Sequence, residues 1–297
     1  MTIFDGFRQV DVSVGDVPVR IHAAVGGSGP PVLLLHGFPQ THAMWHPIAE
    51  HLAGHHTVVA PDLRGYGDSD RPPSDESHAA YSFRAMAQDQ VALMRELGHE
   101  RFAVVGHDRG ARVGHRMGLD QPEAVTRLAV LDIVPTRHVY AHVGREVAEG
   151  YYHWFLFIQP FDLPERLVEG NAMHYLHQLL GGWGSGLEVF APEALAEYER
   201  CFADPEARHA MFEDYRAAAS IDLAHDDEDV AAGRLLSMPV LALWGARGVV
   251  ARSTHDPLEV WREYAADVRG AVLDGGHFLV EELPRDIFVE LEQFLRG

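Results

Sequence analysis

One stretch constrains the fold more than any other: residues 102–118, Phe-Ala-Val-Val-Gly-His-Asp-Arg-Gly-Ala-Arg-Val-Gly-His-Arg-Met-Gly. The apolar run from Phe102 to Val105 reads as a buried strand, and the segment beyond Gly110 reads as a helix. Between them, Gly106-His107-Asp108-Arg109-Gly110 leaves almost no length for a loop. A strand that turns so abruptly into a helix forces a strained backbone on the middle residue. It also leaves the neighbours no room for side chains, which accounts for glycine on both flanks. Asp108 then stands at a helix N-terminus, where the dipole and the free N–H groups favour its ionised form. The turn alone is equally compatible with an aspartate that merely caps the helix.

The rest of the chain alternates strands with helices. Residues 8–14 and 17–24 alternate apolar and polar around Gly15-Asp16, the pattern of a β-hairpin. Val32-Leu33-Leu34-Leu35 is apolar on both faces, as central parallel strands are. Further strands are expected at 57–60, 127–133, 239–244 and 271–273, with helices near 44–52, 81–97, 257–265 and 284–295. This describes an open, mostly parallel α/β sheet with its chemistry at the C-terminal ends of strands. Residues 136–225 break the pattern: they are rich in aromatics and helix formers and lack strand-like alternation. The expected organisation is therefore a core at 1–135, a helical cap at 136–225 laid over the active edge, and the rest of the core at 226–297. The acidic run His225–Asp229 reads as a solvated helix start.

Composition excludes several functions. With a formal net charge of −20, the chain has nothing to neutralise nucleic-acid phosphates. An anionic substrate would need a local cluster of positive charge to draw it in. No apolar run approaches the length of a membrane span, and the N-terminus lacks the pattern of a secretory leader. Cys201 is the single cysteine, so the expected compartment is the reducing cytoplasm. The twenty histidines show no His-Glu-x-x-His or paired Cys/His spacing, so no metal is expected and most are read as surface residues.

Three residues fall at strand C-terminal ends in the order nucleophile, acid, base: Asp108, Asp132 and His277. The loop after Trp244-Gly245, another common place for the acid, reads Ala-Arg-Gly-Val-Val and offers no carboxylate. His277 sits beside Gly276 in a small-residue turn that frees its imidazole. A carboxylate attacking an sp³ carbon forms an alkyl ester of the enzyme, and water activated by His277 can then attack that ester. The backbone N–H groups of Phe38, in His36-Gly37-Phe38-Pro39, and of Arg109 are candidates for the oxyanion hole. This chemistry suits halide displacement or epoxide opening. Arg109 and Arg112, spaced i, i+3, lie on one helix face beside Asp108 and can clamp a carboxylate.

With these residues the chain resembles the fluoroacetate dehalogenases, a branch of the α/β-hydrolases close to haloalkane dehalogenases and epoxide hydrolases. The resemblance runs through His36-Gly37-Phe38-Pro39, Gly106-His107-Asp108-Arg109-Gly110-Ala111-Arg112, Asp132, His153-Trp154, Tyr215 and Gly276-His277. It implies that Asp108, Asp132 and His277 act as nucleophile, acid and base, and that Arg109 and Arg112 hold the substrate carboxylate. It also implies that His153, Trp154 and Tyr215 donate hydrogen bonds to the departing halide. A homodimer and a reaction without cofactor or metal are further implications. Haloalkane dehalogenases usually carry tryptophan after the nucleophile, where Arg109 stands here. Epoxide hydrolases usually use two cap tyrosines; Tyr215 with Tyr151 or Tyr152 keeps that alternative open. A non-catalytic ligand receptor on the same fold is the third reading, though a receptor has no use for the base.

Overall fold

The computed structural model describes residues 3–15, 17–252 and 255–297. Asp16, in the turn of the expected hairpin, lies outside them. Strands β1 (Arg8–Val14) and β2 (Val19–Gly27) pair antiparallel, and β2 pairs antiparallel with β4 (Thr57–Pro61). From β4 onward the pairing is parallel through β3 (Pro31–Leu35), β5 (Phe102–His107), β6 (Val125–Leu131), β7 (Val240–Gly245) and β8 (Val268–Leu273). The sheet order is β1-β2-β4-β3-β5-β6-β7-β8. The fold is the α/β-hydrolase fold, with eight strands among the described residues, of which β2 alone runs opposite to the rest. All six residues of β5 are buried, as a strand covered by helices on both faces requires. At the edge, β8 alternates in exposure, and so only its last apolar residues stand out in sequence.

Helices α1 (His46–Ala53), α2 (Phe83–Glu96) and α3 (Arg109–Asp120) follow β3, β4 and β5. Between β6 and β7 the named elements are all helices: α4 (Thr136–Ala141), α5 (Arg145–Gly150), α6 (Tyr152–Phe157), α7 (Leu163–Glu169), α8 (Ala172–Trp183), α9 (Pro192–Ala203), α10 (Pro205–Ala218) and α11 (Ile221–Ala231). Short helices α12 (Val249–Arg252), α13 (Pro257–Arg262) and α14 (Leu279–Glu282) precede α15 (Pro284–Arg296). Local chemistry sets many of the starts. Ser82 accepts from Ala85 N to open α2, and Asp204 accepts from Glu206 N ahead of Pro205 to open α10.

Helix α11 runs straight through residue 225, where the cap was expected to end. The acidic run on it is only half solvated: Asp227 and Glu228 are exposed, but Asp226 and Asp229 are buried and both accept from Arg116 of α3. A charge run in sequence does not reveal an arginine 110 residues away. Of the twenty histidines, twelve are exposed or half-buried, as expected of most of them, while His36, His42, His56, His107, His115, His138, His153 and His277 are buried.

The turn from β5 to α3 is as tight as the glycines imply. A Cβ on Gly106 would lie 2.5 Å from Ala111 Cα, and one on Gly110 would lie 2.4 Å from the carbonyl oxygens of Leu35 and His36. Asp108 between them takes φ +47°, ψ −114°, a conformation that L-residues rarely adopt.

Candidate active site

The Asp108 side chain makes no capping hydrogen bond to α3. Instead its Oδ1 accepts from the backbone N–H of Phe38 at 3.1 Å, and Oδ2 lies 3.8 Å from His277 Nε2. Arg109, as the first residue of α3, has an N–H without an intrahelical acceptor beside the same carboxylate. Burial works against ionisation of Asp108, but the nearby His277, Arg112, His107 and Arg109 outweigh it and hold the group down at about 2. The carboxylate is therefore charged at any ordinary pH.

Asp132 follows β6 with φ +52°, again unusual for a non-glycine residue. Both of its oxygens are engaged: Oδ1 accepts from Gly245 N at 3.0 Å, and Oδ2 accepts from His277 Nδ1 at 2.6 Å. That bond places the imidazole proton on Nδ1 and turns the Nε2 lone pair toward Asp108. Burial favours neutral His277, but its bond to Asp132 and the charges of Asp132 and Asp108 raise its pKa above the ordinary value. No sequence pattern assigns a role to His107, which supports this arrangement from below. Its Nε2–H donates to the His277 carbonyl at 2.8 Å, and burial depresses its own pKa to about 3.

The two arginines both reach the site, and they differ. Arg109 is fully buried and gives its fork to Asp214 of α10. Nε donates to Oδ2 at 2.9 Å, while Nη2 donates to Oδ1 and also to the Asp214 carbonyl at 3.0 Å. Tyr66 donates its hydroxyl to the same Oδ2 at 2.7 Å. Only Arg109 Nη1 is left without a hydrogen-bond partner. Arg112 is almost as buried, and its Nη1 donates to Val134 O and Thr136 Oγ1, both at 3.0 Å. Its Nε and Nη2 are buried and unpartnered, and among the described residues no carboxylate forms an ion pair with it. Burial of such a group carries a large desolvation penalty, which here lowers the Arg112 pKa although Asp108 opposes the shift.

The three cap residues meet above the arginines. His153 and Trp154 come from α6 and Tyr215 from α10; the Tyr215 ring is 5.5 Å from His153 and 6.1 Å from Trp154. Arg112 lies 4.6 Å over Trp154 and Arg109 4.2 Å over Tyr215, both within cation–π range. Phe38 touches His153 and Tyr215 from the core side, at 6.1 and 5.3 Å. His153 Nδ1 and the Tyr215 hydroxyl are buried without partners. Burial pushes the His153 pKa far down and the Tyr215 pKa far up, so both side chains are neutral.

Several neighbours could not be read from sequence. Asp214, Tyr66 and Thr136 become relevant only when α10, the β4 loop and α4 converge on α3. Trp183 of α8 packs its indole 4.4 Å from His153 and 5.7 Å from His277, bridging cap and core. Of the two tyrosines that could accompany Tyr215, Tyr151 is buried and stacks on Trp154 at 5.1 Å, whereas Tyr152 is 43% exposed. A cavity lined by Val134, Val139, Tyr151, Val249 and Val250 shares Val134 and Tyr151 with these surroundings. Among the described residues no group of three or more histidine, cysteine, aspartate or glutamate side chains could hold a metal ion. No helix among them is long and apolar enough to cross a membrane.

Comparison with known proteins agrees with this architecture. Residues 30–284 match the α/β hydrolase fold family. The chain is 47% identical to a fluoroacetate dehalogenase from Burkholderia sp, over 99% of this chain and 95% of that one. It is 30% identical to a soluble epoxide hydrolase from Corynebacterium sp. (strain C12), over 90% of each chain. Among solved structures, a candidate α/β hydrolase from Nostoc sp PCC 7120 superposes with a TM-score of 0.94 at 52% identity, covering 97% of this chain and 98% of that one. The chain is a hydrolase of the α/β-hydrolase fold and belongs to the fluoroacetate dehalogenase family.

Proposed function

We propose that the protein hydrolyses short 2-haloacids, fluoroacetate foremost, to the 2-hydroxyacid and halide through an ester on Asp108. The observation that carries this reading is Arg112, a buried guanidinium with two unpartnered N–H groups and no carboxylate of its own. A cation buried at such a penalty needs an anion, and a substrate carboxylate supplies one. With the carboxylate held there, Asp108 Oδ2 attacks C2 and the carbon–halogen bond breaks toward His153, Trp154 and Tyr215. Asp108 Oδ1, already bonded to Phe38 N–H, becomes the ester carbonyl oxygen. Water that gives its proton to His277 Nε2 then attacks Asp108 Cγ, and negative charge develops on the oxygen that Phe38 holds. Collapse breaks the ester C–O bond, the proton passes to the leaving alkoxide, and glycolate departs. Asp132 orients the imidazole and stabilises its charged form.

Epoxide hydrolysis is the second reading. It is favoured by the unpartnered Tyr215 hydroxyl with Tyr151 nearby, and by the 30% identical relative. An epoxide brings no charge, however, and would leave Arg112 unanswered. The test is product release from fluoroacetate, chloroacetate and styrene oxide in parallel. Fluoride and chloride release without diol is the expected result. Diol formation without halide release would favour the epoxide reading, and binding without turnover of any of the three would leave a receptor.

A further inference from the structure

Two arginines beside the nucleophile suggest a doubly positive pocket, yet the hydrogen bonds divide their charge unequally. Asp214 faces Arg109 through two side-chain contacts and its own carbonyl, with both residues fully buried. Tyr66 closes the network from the core by donating to the same carboxylate. The Arg109 charge is thereby cancelled in place, and one of its nitrogens, Nη1, is left buried without a partner. Among the described residues Arg112 has only neutral acceptors, Val134 O and Thr136 Oγ1. Of the four charges Arg109, Arg112, Asp108 and Asp214, two are therefore paired with each other. The other two, Arg112 and Asp108, feel each other's charge but form no ion pair among the described residues.

We propose that Asp214 is a positioning residue that sets the charge of the acid subsite, so that the pocket accepts a substrate carrying one carboxylate and rejects one carrying two. The inference rests on the reading of Arg109 and Arg112 as the carboxylate site and gives it a charge limit. A monoanion meets Arg112 and the Arg109 Nη1–H. A second negative charge of similar size meets only Asp108 and the cancelled Arg109–Asp214 pair, in a site where burial strengthens repulsion. Asp214 also precedes Tyr215 on α10, so the same ion pair fixes the cap helix bearing a proposed halide donor.

The probes are acetate and oxalate, unreactive anions of haloacetate size carrying one and two charges, used as competitive inhibitors of chloride release from chloroacetate. Wild-type enzyme is expected to bind acetate in preference to oxalate. Asp214→Asn frees the second positive charge and shifts the ratio of the two inhibition constants toward oxalate by about tenfold or more. Structural damage alone weakens both inhibitors together and leaves the ratio where it was. An unchanged ratio in a folded Asp214→Asn enzyme overturns the proposal. If that variant does not fold, Arg109→Gln/Asp214→Asn removes the pair with no net change of charge and must keep the wild-type ratio; a shift of that ratio away from oxalate shows that Arg109 was an uncancelled cation and also overturns it. Wild-type enzyme that releases no halide from any haloacetate would instead refute the underlying functional reading.

Discussion

The core half and the cap half of the site are built on opposite principles. On the core side, Asp132 has a protein partner on each oxygen, His277 is held at Nδ1 and at its carbonyl, and Asp108 Oδ1 is held by Phe38. Two of these residues sit on backbone with positive φ, at the ends of parallel strands that fix them. On the cap-facing side, polar atoms are buried and left open: Arg109 Nη1, Arg112 Nε and Nη2, His153 Nδ1 and the Tyr215 hydroxyl. Buried polar groups in folded proteins are nearly always paired, so a cluster of unpaired ones marks where a ligand completes the structure. Apart from His107 Nδ1, which is also buried without a partner, the core half is thus complete by itself, and the other half is left for a ligand to complete. In the reaction we propose, chemistry belongs to the first and choice of substrate to the second.

The largest effect should come from breaking the complete half. His277→Asn removes the base but leaves Asp108 free to attack. The variant should release halide once and then stall as an ester detectable by intact mass, with steady-state turnover down by about 10²–10⁴ or more. Repeated turnover at near wild-type rate would show that the two halves do not divide the work. A pH series on the wild-type enzyme probes the same residue. The His277 pKa is raised, so acidification protonates the base while Asp108, at about 2, remains an anion. Alkylation therefore continues as ester hydrolysis fails, and the trapped ester should accumulate as pH falls. Esterification also removes the Asp108 charge, one of the influences that raise the His277 pKa. The ester should consequently titrate at a lower pH than the resting enzyme.

An intermediate effect tests the join between the halves. Arg112→Leu removes the uncancelled charge, and losing a charge-assisted hydrogen bond costs about 1.5–3 kcal/mol, roughly ten- to a hundredfold in kcat/KM for chloroacetate. Chloroacetamide, neutral and nearly the same shape, should lose far less. Equal losses on both would mean that Arg112 is a packing residue.

The same contrast explains what could be read from the chain. The places of Asp108, Asp132 and His277 were legible because strand ends are marked locally by apolar runs and glycines. The parallel sheet was legible for the same reason, down to the edge strand β8, whose first residues alternate in exposure instead of forming an apolar run. Arg109 and Arg112 were legible as a helical pair, but not their unequal charge. That depends on Asp214, which stands 105 residues away on a helix whose packing no local pattern specifies. His153, Trp154 and Tyr215 stood out only through family resemblance; by composition alone they are ordinary aromatic cap residues. Asp226 and Asp229 went unrecognised because their partner, Arg116, is likewise distant in sequence.

The smallest effect is also the most discriminating. Fluoride is compact, strongly hydrated and a poor leaving group from carbon, so its departure needs donors already aimed at the developing charge. Chloride is larger, softer and easier to expel, and needs them less. Trp154 stands between the two functions, with Arg112 4.6 Å over its ring and Tyr215 6.1 Å away. Trp154→Phe keeps an aromatic face for Arg112 and deletes the indole N–H, separating donor from wall. If Trp154 donates to the halide, fluoroacetate turnover should fall by about 1–2 kcal/mol in transition-state terms, roughly five- to thirtyfold. Chloroacetate turnover should fall only about twofold. The ratio of the two rates carries the answer, because a general loosening of the cap lowers both. Equal losses would reduce Trp154 to the wall under Arg112, and the selectivity of the open half would then rest on His153 and Tyr215 alone.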